Sequence, residues 1–200
     1  MLKSLLLSTI VVLFITGCSL GKPVEQPSTY VLVASTPTKT LNRVSDSLRI
    51  DYVRSTAPFN QTQMVYRMDE VKFESDYYNR YISEPEAMVG NQVALWLEQS
   101  GLYDSVAQPS MRTPAQQILQ IVITKLFGDF RDGHTPTAVV EMQFVLIENK
   151  DIRPTVVLEK TLSSRVELSA KDPAALAKGQ GQAMTQIFEQ LAAELTKLEQ

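Results

Sequence analysis

Apolar and polar residues alternate along several segments of the chain with the period of two that is typical of half-buried β-strands. Short strands are predicted at 29–35 and 47–53, and a hairpin with arms at 64–68 and 72–76 is predicted to fold at Asp69-Glu70. Longer alternating segments follow at 115–130, 137–149 and 154–169. Because the connections between these three are short, they are expected to form an antiparallel meander.

Two further segments carry apolar residues at the spacing of an amphipathic helix. In the first, Ser83 and Glu86 have the spacing of a capping box, Pro85 lies in the first turn, and Gly101 follows the last turn as a stop. Its apolar stripe consists of Val89, Val93, Trp96 and Leu97.

The second helix is predicted to begin at Asp172-Pro173 and to run to the end of the chain. Its apolar stripe consists of Met184, Ile187, Phe188, Leu191, Leu195 and Leu198. Gly179 and Gly181 lie in its first half, where they indicate either a close approach of the helix to the sheet or a frayed first turn. The predicted fold is α+β: a two-layer sandwich whose antiparallel β-sheet carries two helices packed on one face.

The N-terminal segment has the pattern of a secretory signal, with Lys3 followed by an uncharged apolar run. The run is shorter than the roughly 20 apolar residues that a spanning helix needs. It ends at Ile15-Thr16-Gly17-Cys18, which resembles the bacterial lipobox, and Cys18 is the only cysteine. The resemblance implies cleavage before Cys18 and lipid attachment to it. Ser19, in place of an inner-membrane aspartate signal, indicates the periplasmic face of the outer membrane.

Three regions follow from this pattern. Residues 1–17 are predicted to be a lipoprotein signal peptide, and residues 18–28 a lipidated N-terminus and flexible tether. Residues 29–200 are predicted to form a single periplasmic domain. Gly21, Pro23 and Pro27 interrupt the tether, which at about ten residues could lift the domain about 30 Å from the membrane.

Composition excludes several classes of function. The formal net charge of −3 argues against a nucleic-acid-binding protein, which needs a clustered basic face. A single cysteine that carries lipid forms no disulfide, and one histidine, His134, excludes the usual zinc sites. His134 lies in a predicted turn, and no strained serine elbow or Walker-type loop occurs. The sequence therefore predicts a non-enzymatic protein without a cofactor, catalytic residue or metal site.

Tyrosines and arginines crowd into the middle of the chain. Both residue types are enriched at binding hot spots. The predicted partner-binding residues are Tyr66, Arg67, Tyr78, Arg80 and Tyr81. The alternative interpretation is that several of them cover the core between the hairpin and the first helix.

The same segment resembles the ABC-type transport auxiliary lipoproteins, which include the lipoprotein of the paraquat-inducible Pqi system. The residues that carry the resemblance are Val65-Tyr66-Arg67, Tyr78-x-Arg80-Tyr81, Pro85, Ser100-Gly101-Leu102-Tyr103 and Val106. Tyr81 departs from the family pattern, in which tryptophan is expected at this position. With the lipobox before it and the strand-strand-helix pattern after it, the resemblance covers nearly the whole predicted mature chain.

The resemblance implies that the protein docks an MCE-domain periplasmic protein and an inner-membrane ABC permease with its ATPase. Such a complex moves phospholipids or other hydrophobic molecules between membranes. Two alternatives stay open from the residues alone: another envelope-assembly lipoprotein such as a cell-wall synthase activator, and a periplasmic lipid-binding carrier. The sequence also leaves the oligomeric state open, a homo-oligomer included.

Overall fold

The computed structural model describes residues 26–149 and 153–198. The predicted signal peptide, Cys18 and most of the predicted tether lie outside the described residues. The described elements, in chain order, are β1 (Ser28–Tyr30), β2 (Ser45–Ser55), β3 (Gln63–Arg67), β4 (Phe73–Tyr81), α1 (Pro85–Gln99), β5 (Tyr103–Ala107), β6 (Gln117–Asp129), β7 (Thr137–Glu148), β8 (Thr155–Glu167) and α2 (Pro173–Lys197).

The central strand of the sheet is β6, and its two edges are used differently. Along one edge it pairs with β7, which pairs in turn with β8, and both pairings are antiparallel. The other edge is shared, because β2 pairs with the first half of β6 and β3 with its last two residues. Beyond β2 lies β5, and beyond β3 lie β4 and then β1.

The prediction of an antiparallel sheet was wrong. Between the described residues, four of the seven strand pairings are parallel, namely β1–β4, β2–β5, β2–β6 and β3–β6. Each of these joins strands that are distant along the chain, since β2 reaches β6 only after a hairpin, a helix and β5. The α+β class and the antiparallel β6–β7–β8 meander were predicted correctly.

Both helices pack on the same face of the sheet. The first, α1, lies over β2 and β5, whereas α2 lies over β7 and β8. Trp96 and Phe188 join the two helices, with ring centroids 6.0 Å apart. The core between the layers contains the inward residues of the central strands, among them Leu119, Ile121, Ile123, Met142, Phe144 and Leu146, all fully buried.

The first helix confirms its predicted stripe and its stop, but not its predicted cap. Gly101 has φ +77°, the left-handed conformation that glycine adopts without strain. The N-cap of α1 is Glu84, whose side chain makes no capping hydrogen bond. Glu86 does not complete a capping box, because its carboxylate accepts a hydrogen bond from the backbone N–H of Ser55 at 2.7 Å.

The second helix begins as predicted, and its two early glycines mark close approaches. Asp172 caps the helix by accepting a hydrogen bond from the N–H of Ala175 at 2.9 Å. A Cβ atom on Gly179 would overlap the side chain of Leu168, and one on Gly181 would overlap the carbonyl oxygen of Val33.

The first predicted strand is mostly a different element. Only Ser28–Tyr30 pairs in the sheet, and residues 31–35 leave it as a strap across both helices. The N–H of Ala34 donates to Gln92 Oε1 of α1 at 3.0 Å, and that of Ser35 donates to Thr185 Oγ1 of α2 at 2.8 Å. Leu32 is fully buried. The strap therefore ties the start of the domain to the helix layer.

Candidate partner-docking site

The pairing between β3 and β4 contains a large bulge in β4. Val65 lies opposite Ser75, but Gln63 lies opposite Arg80, so residues 76–79 loop out of the ladder. Bulges of this kind redirect side chains away from the regular alternation of a strand. Residues 76–79 are named the tyrosine bulge below, because they contain Tyr77 and Tyr78.

Asp76 holds the tyrosine bulge in shape. Its carboxylate accepts hydrogen bonds from the N–H groups of Tyr78 and Asn79 at 2.8 and 2.9 Å, and from Asn79 Nδ2 at 2.9 Å. The hydroxyl of Tyr66 donates to the same carboxylate at 2.7 Å. Partial burial on its own would raise the pKa of Asp76, but these hydrogen bonds lower it below its usual value. Asp76 is thus an ionised acceptor that fixes the backbone around two tyrosines.

Tyr66 supports the bulge rather than facing solvent. Its ring stacks on that of Phe130, with centroids 5.0 Å apart and planes 12° from parallel. Burial, together with the carboxylate of Asp76, raises the pKa of the Tyr66 hydroxyl, so the group stays protonated as a donor.

Tyr77 and Tyr78 are the side chains that the bulge presents to solvent. Tyr77 is 72% exposed and Tyr78 is 44% exposed. Their rings meet edge to face, with centroids 5.1 Å apart and planes at 83°. Arg80 donates from Nη2 to the carbonyl oxygen of Tyr77 at 3.2 Å. Two exposed aromatic rings on a backbone fixed by a carboxylate form a rigid contact surface of the type enriched at binding hot spots.

Apolar side chains continue this surface along the same margin of the sheet. The tyrosine bulge adjoins β1, since Ser28 lies opposite Asn79. At the other end of that pairing, the N–H of Ile82 donates to Tyr30 at 2.9 Å. Val31 and Ile82 follow the paired residues and are both largely exposed.

Two of the predicted partner-binding residues serve the fold instead. Tyr81 is 2% exposed, and its hydroxyl donates to Gln180 Oε1 of α2 at 2.7 Å, so it is a core residue. Arg67 holds the β3–β4 turn, donating to the carbonyl oxygens of Asp69 and Glu70, each at 3.1 Å. The guanidinium also lies 6.0 Å from the ring centroid of Phe73.

A chain of charged side chains continues from Arg67 across the sheet. Glu70 joins Arg67 at 2.9 Å and also pairs with Arg131. Arg131 donates to both oxygens of Asp129 at 2.8 and 2.9 Å, and Arg165 donates to the same carboxylate at 3.1 Å. The hydrogen bonds from Arg131, and then from Arg165, lower the pKa of Asp129 to about 2 despite its burial. This network ties the hairpin turn to β6 and β8.

Residues 30–192 match the sequence profile of the family described as ABC-type transport auxiliary lipoprotein component. The chain belongs to this family. The resemblance inferred from the sequence is confirmed, and family membership associates the protein with an ABC-type transport system. No curated protein matches the chain at a significant level.

Solved structures of similar fold include three proteins with low sequence identity to this chain. A Xanthomonas campestris protein of the DUF330 family shares 20% identity and a TM-score of 0.70, covering 86% of this chain and 95% of its own. An uncharacterized protein shares 17% identity and a TM-score of 0.69, with coverages of 86% and 99%. A hypothetical protein of Chlamydia trachomatis shares 8% identity and a TM-score of 0.54, with coverages of 78% and 98%. At these identities the likeness is one of fold.

Several of the residues that carry the family resemblance build the core. Gly101 ends α1, and both Leu102 and Tyr103 are buried at the start of β5. The hydroxyl of Tyr103 donates to Gln117 Oε1 at 2.9 Å. Tyr77, in contrast, lies within the family segment but outside the motif, and only the bulge reveals its exposure.

A pocket with a mostly apolar lining lies elsewhere on the described surface. Its volume is about 490 Å³, within the range of small-molecule sites. It lies between residues 37–41, Trp96 of α1 and the last turns of α2, where Lys39 and Lys197 contribute cations. His134 is exposed, and its N–H donates to the carbonyl oxygen of Arg131 at 3.3 Å. Within residues 26–149 and 153–198, neither helix combines the length and hydropathy needed to span a bilayer.

Proposed function

We propose that the protein is a non-enzymatic outer-membrane lipoprotein, the docking component of an ABC/MCE-type system that moves phospholipids or other hydrophobic molecules between membranes. In this proposal Cys18 carries the lipid, Ser19 directs the protein to the outer membrane, and residues 18–28 are the tether. The domain contacts an MCE-domain periplasmic protein, which connects it to the inner-membrane ABC permease and ATPase. Membership of the ABC auxiliary lipoprotein family supports the link to an ABC system.

The observation that carries the docking role is the tyrosine bulge. Asp76 fixes the backbone by accepting four hydrogen bonds, and the bulge presents Tyr77 and Tyr78 to solvent. A preorganised aromatic surface loses little conformational entropy when a partner binds. Such a surface requires no chemistry of its own, in keeping with an auxiliary component.

The position of the bulge also suits a tethered docking protein. It lies beside β1, the first element of the domain, because Asn79 pairs with Ser28. Ser28 is the last residue of the proposed tether and the first residue of β1. A tether of about ten residues spans at most about 30 Å, which keeps the bulge within a short distance of the membrane. The partner would therefore be captured close to the outer membrane.

A crosslinked pulldown from intact cells tests the proposal. The double variant Tyr77→Ala/Tyr78→Ala is compared with Tyr52→Ala, which removes a half-exposed tyrosine from β2. We expect the wild type and Tyr52→Ala to recover an MCE-domain protein with its permease, and the double variant to recover about tenfold less. Equal recovery by both variants would reject the tyrosine bulge as the docking site. Recovery of a peptidoglycan synthase by the wild type would support the cell-wall alternative.

A second candidate function is favoured by the pocket beside Trp96. A volume of about 490 Å³ with a mostly apolar lining, two lysines and Glu189 fits a carrier that binds a single amphiphilic molecule. The full-length protein, purified in a detergent of known composition, would then contain a lipid that mass spectrometry detects at one molecule per chain. Replacing Ala193, which lines the pocket, with Trp would remove that lipid. An unchanged lipid content in Ala193→Trp would reject the carrier function.

A further inference from the structure

One edge strand of the sheet is long and, after a bulge between Val156 and Leu158, regular. Its charged side chains are Glu159, Lys160, Arg165 and Glu167. β8 spans Thr155–Glu167 and, among the described residues, pairs only with β7. Exposed edges are commonly short or interrupted by proline, because their unpaired backbone groups attract other strands. β8 has 13 residues and contains neither proline nor glycine.

The direction of the backbone groups on β8 follows from its pairing with β7. The N–H of Leu168 donates to the carbonyl oxygen of Pro136 at 2.8 Å, one residue beyond the pair of Glu167 with Thr137. In an antiparallel ladder, hydrogen-bonded pairs alternate with non-hydrogen-bonded pairs. The even-numbered residues from 158 to 168 therefore bond to β7, and the odd-numbered residues direct N–H and C=O outward. The side-chain amide of Gln190 lies 3.5 Å from the carbonyl oxygen of Ser163, as expected for an outward group.

The sequence of β8 is self-complementary about Leu162. When the strand is paired antiparallel with a copy of itself centred there, the outward residues meet each other: Thr161 lies opposite Ser163, and Glu159 opposite Arg165. Leu162 meets Leu162, and Leu158 meets Val166. Opposite charges and apolar pairs directly across two strands stabilise their pairing.

Neighbouring registers lack this match. A pairing centred on Ser163 would place Glu159 opposite Glu167, and like charges directly opposite are destabilising. A pairing centred on Thr161 would place Glu159 opposite Ser163 and Arg165 opposite Val157, leaving both charges without a cross-strand partner. Arg165 donates to Asp129 from Nη2 and keeps other guanidinium donors for a second carboxylate.

We propose that two copies of the chain associate through β8, antiparallel and centred on Leu162, to form one continuous sheet across a two-fold axis. Because α2 packs over β7 and β8, this pairing places the two α2 helices side by side on the same face. The tyrosine bulge lies on the β4 side of the sheet, away from β8, and stays free in each copy. The pair would present two docking surfaces to one partner assembly.

Disulfide crosslinking of the full-length protein in membranes tests the register. Residues that face each other in a non-hydrogen-bonded pair have Cα atoms about 4.5 Å apart, a distance that a disulfide can span. We expect Leu162→Cys to form a crosslinked dimer under mild oxidation. The matched control is Val156→Cys, which is 55% exposed on the same strand. Its two copies would lie about 40 Å apart in this register and should not crosslink. The wild type, whose one cysteine is Cys18, reports any background.

A charge variant tests the register without moving the cysteine. Glu159→Arg, added to Leu162→Cys, places an arginine opposite Arg165 in each half of the two-fold pairing. The repulsion should lower the crosslinked fraction about fivefold or more. Three results would overturn the proposal: no dimer with Leu162→Cys at normal membrane abundance, equal crosslinking by Val156→Cys, or a crosslink to a different protein. An unchanged crosslinked fraction in Glu159→Arg would overturn the register.

Discussion

Gly181 of α2 lies directly against the backbone of Val33 in the strap. A Cβ atom at position 181 would overlap the carbonyl oxygen of Val33 and lie 3.1 Å from its carbonyl carbon. Neither group can move easily, because one belongs to a buried helix turn and the other to a backbone held by hydrogen bonds on both helices. The glycine therefore allows the strap to cross the helix layer.

Gly181→Ala should accordingly destabilise the protein, although alanine is intrinsically better in helices. The added methyl group forces the strap or the helix to shift, and overpacking of this kind costs about 1–3 kcal/mol of unfolding free energy. Urea denaturation measures the loss. Gln182→Ala is the matched control, since this neighbouring side chain is exposed and should change stability by less than about 0.5 kcal/mol. Equal stability of Gly181→Ala and the wild type would show that the strap is not tightly packed.

The bond between Tyr66 and Asp76 predicts a separable effect on stability and docking. Tyr66→Phe removes the hydroxyl that donates at 2.7 Å but keeps the ring stacked on Phe130. Because hydrogen bonds to charged groups contribute more than neutral ones, we expect a loss of about 1–2 kcal/mol. Three donors to Asp76 remain, so partner recovery in a pulldown should change little.

Asp76→Ala should reduce docking as well as stability. It removes the acceptor for the N–H groups of Tyr78 and Asn79, so the bulge loses its fixed shape. The variant also leaves the Tyr66 hydroxyl without its acceptor, so it should lose at least as much stability as Tyr66→Phe. Partner recovery, measured well below the melting temperature, should fall further than in Tyr66→Phe. A smaller loss of binding in Asp76→Ala than in Tyr66→Phe would contradict the role given to the bulge.

Asp129 predicts how the stability of the domain depends on pH. Its pKa in the folded protein is about 2, below the value of 3.8 that an aspartate has without these interactions. The unfolded chain therefore binds this proton at a higher pH than the folded protein does. The stabilisation is present above about pH 4 and is lost as pH falls towards 2. A shift of this size corresponds to about 2 kcal/mol.

Asp129→Asn isolates this contribution. The variant should be less stable near neutral pH and should show a shallower loss of stability between pH 4 and 2, measured by urea denaturation at each pH. Asp132→Asn is a suitable control, because its side chain is exposed and lies outside the Arg131 and Arg165 contacts. Identical pH profiles for Asp129→Asn and the wild type would exclude the arginine network as a source of acid sensitivity.

Cys18→Ala tests the proposed anchor. Multiple acyl chains hold a protein on a bilayer far more firmly than a single chain. Without the lipid, the chain should move from the membrane fraction to the soluble periplasmic fraction. Fractionation followed by immunodetection measures the shift, and Ser19→Asp separately tests sorting between the two membranes. Tight membrane association of Cys18→Ala would contradict the lipobox interpretation.

The parts of the fold that depend on local pattern could be predicted from the sequence. Both helices, the β6–β7–β8 meander and most of the apolar stripes follow from periodicity and short turns. The exception is Leu198, which was predicted in the stripe of α2 but is the C-cap and is 44% exposed. The parallel pairings could not be predicted. More than 60 residues separate β2 from β6, and neither strand has a local sequence pattern that specifies which strand it pairs with. The missed capping box has a tertiary cause, since Glu86 bonds to Ser55 of β2 instead.

Bulges explain where alternation failed. The irregularity at Asp51 shifts the alternation of β2, so Tyr52 is 37% exposed and Val53 is buried. The one between Leu146 and Ile147 leaves Val156 55% exposed, whereas Leu158, two residues further along β8, is buried. The tyrosine bulge likewise turns Tyr81 inward and Tyr77 outward. The sequence indicated the segment in which the proposed docking surface lies, but which of its side chains are exposed depends on the register.

A photo-activatable amino acid placed at Tyr77 in intact cells tests the central claim most directly. The same substitution at Tyr52 is the control, on a strand that the docking surface does not include. The account predicts that position 77 captures an MCE-domain protein on illumination and that position 52 does not. Capture at position 52 alone, or capture of a peptidoglycan synthase at position 77, would contradict the proposed docking role.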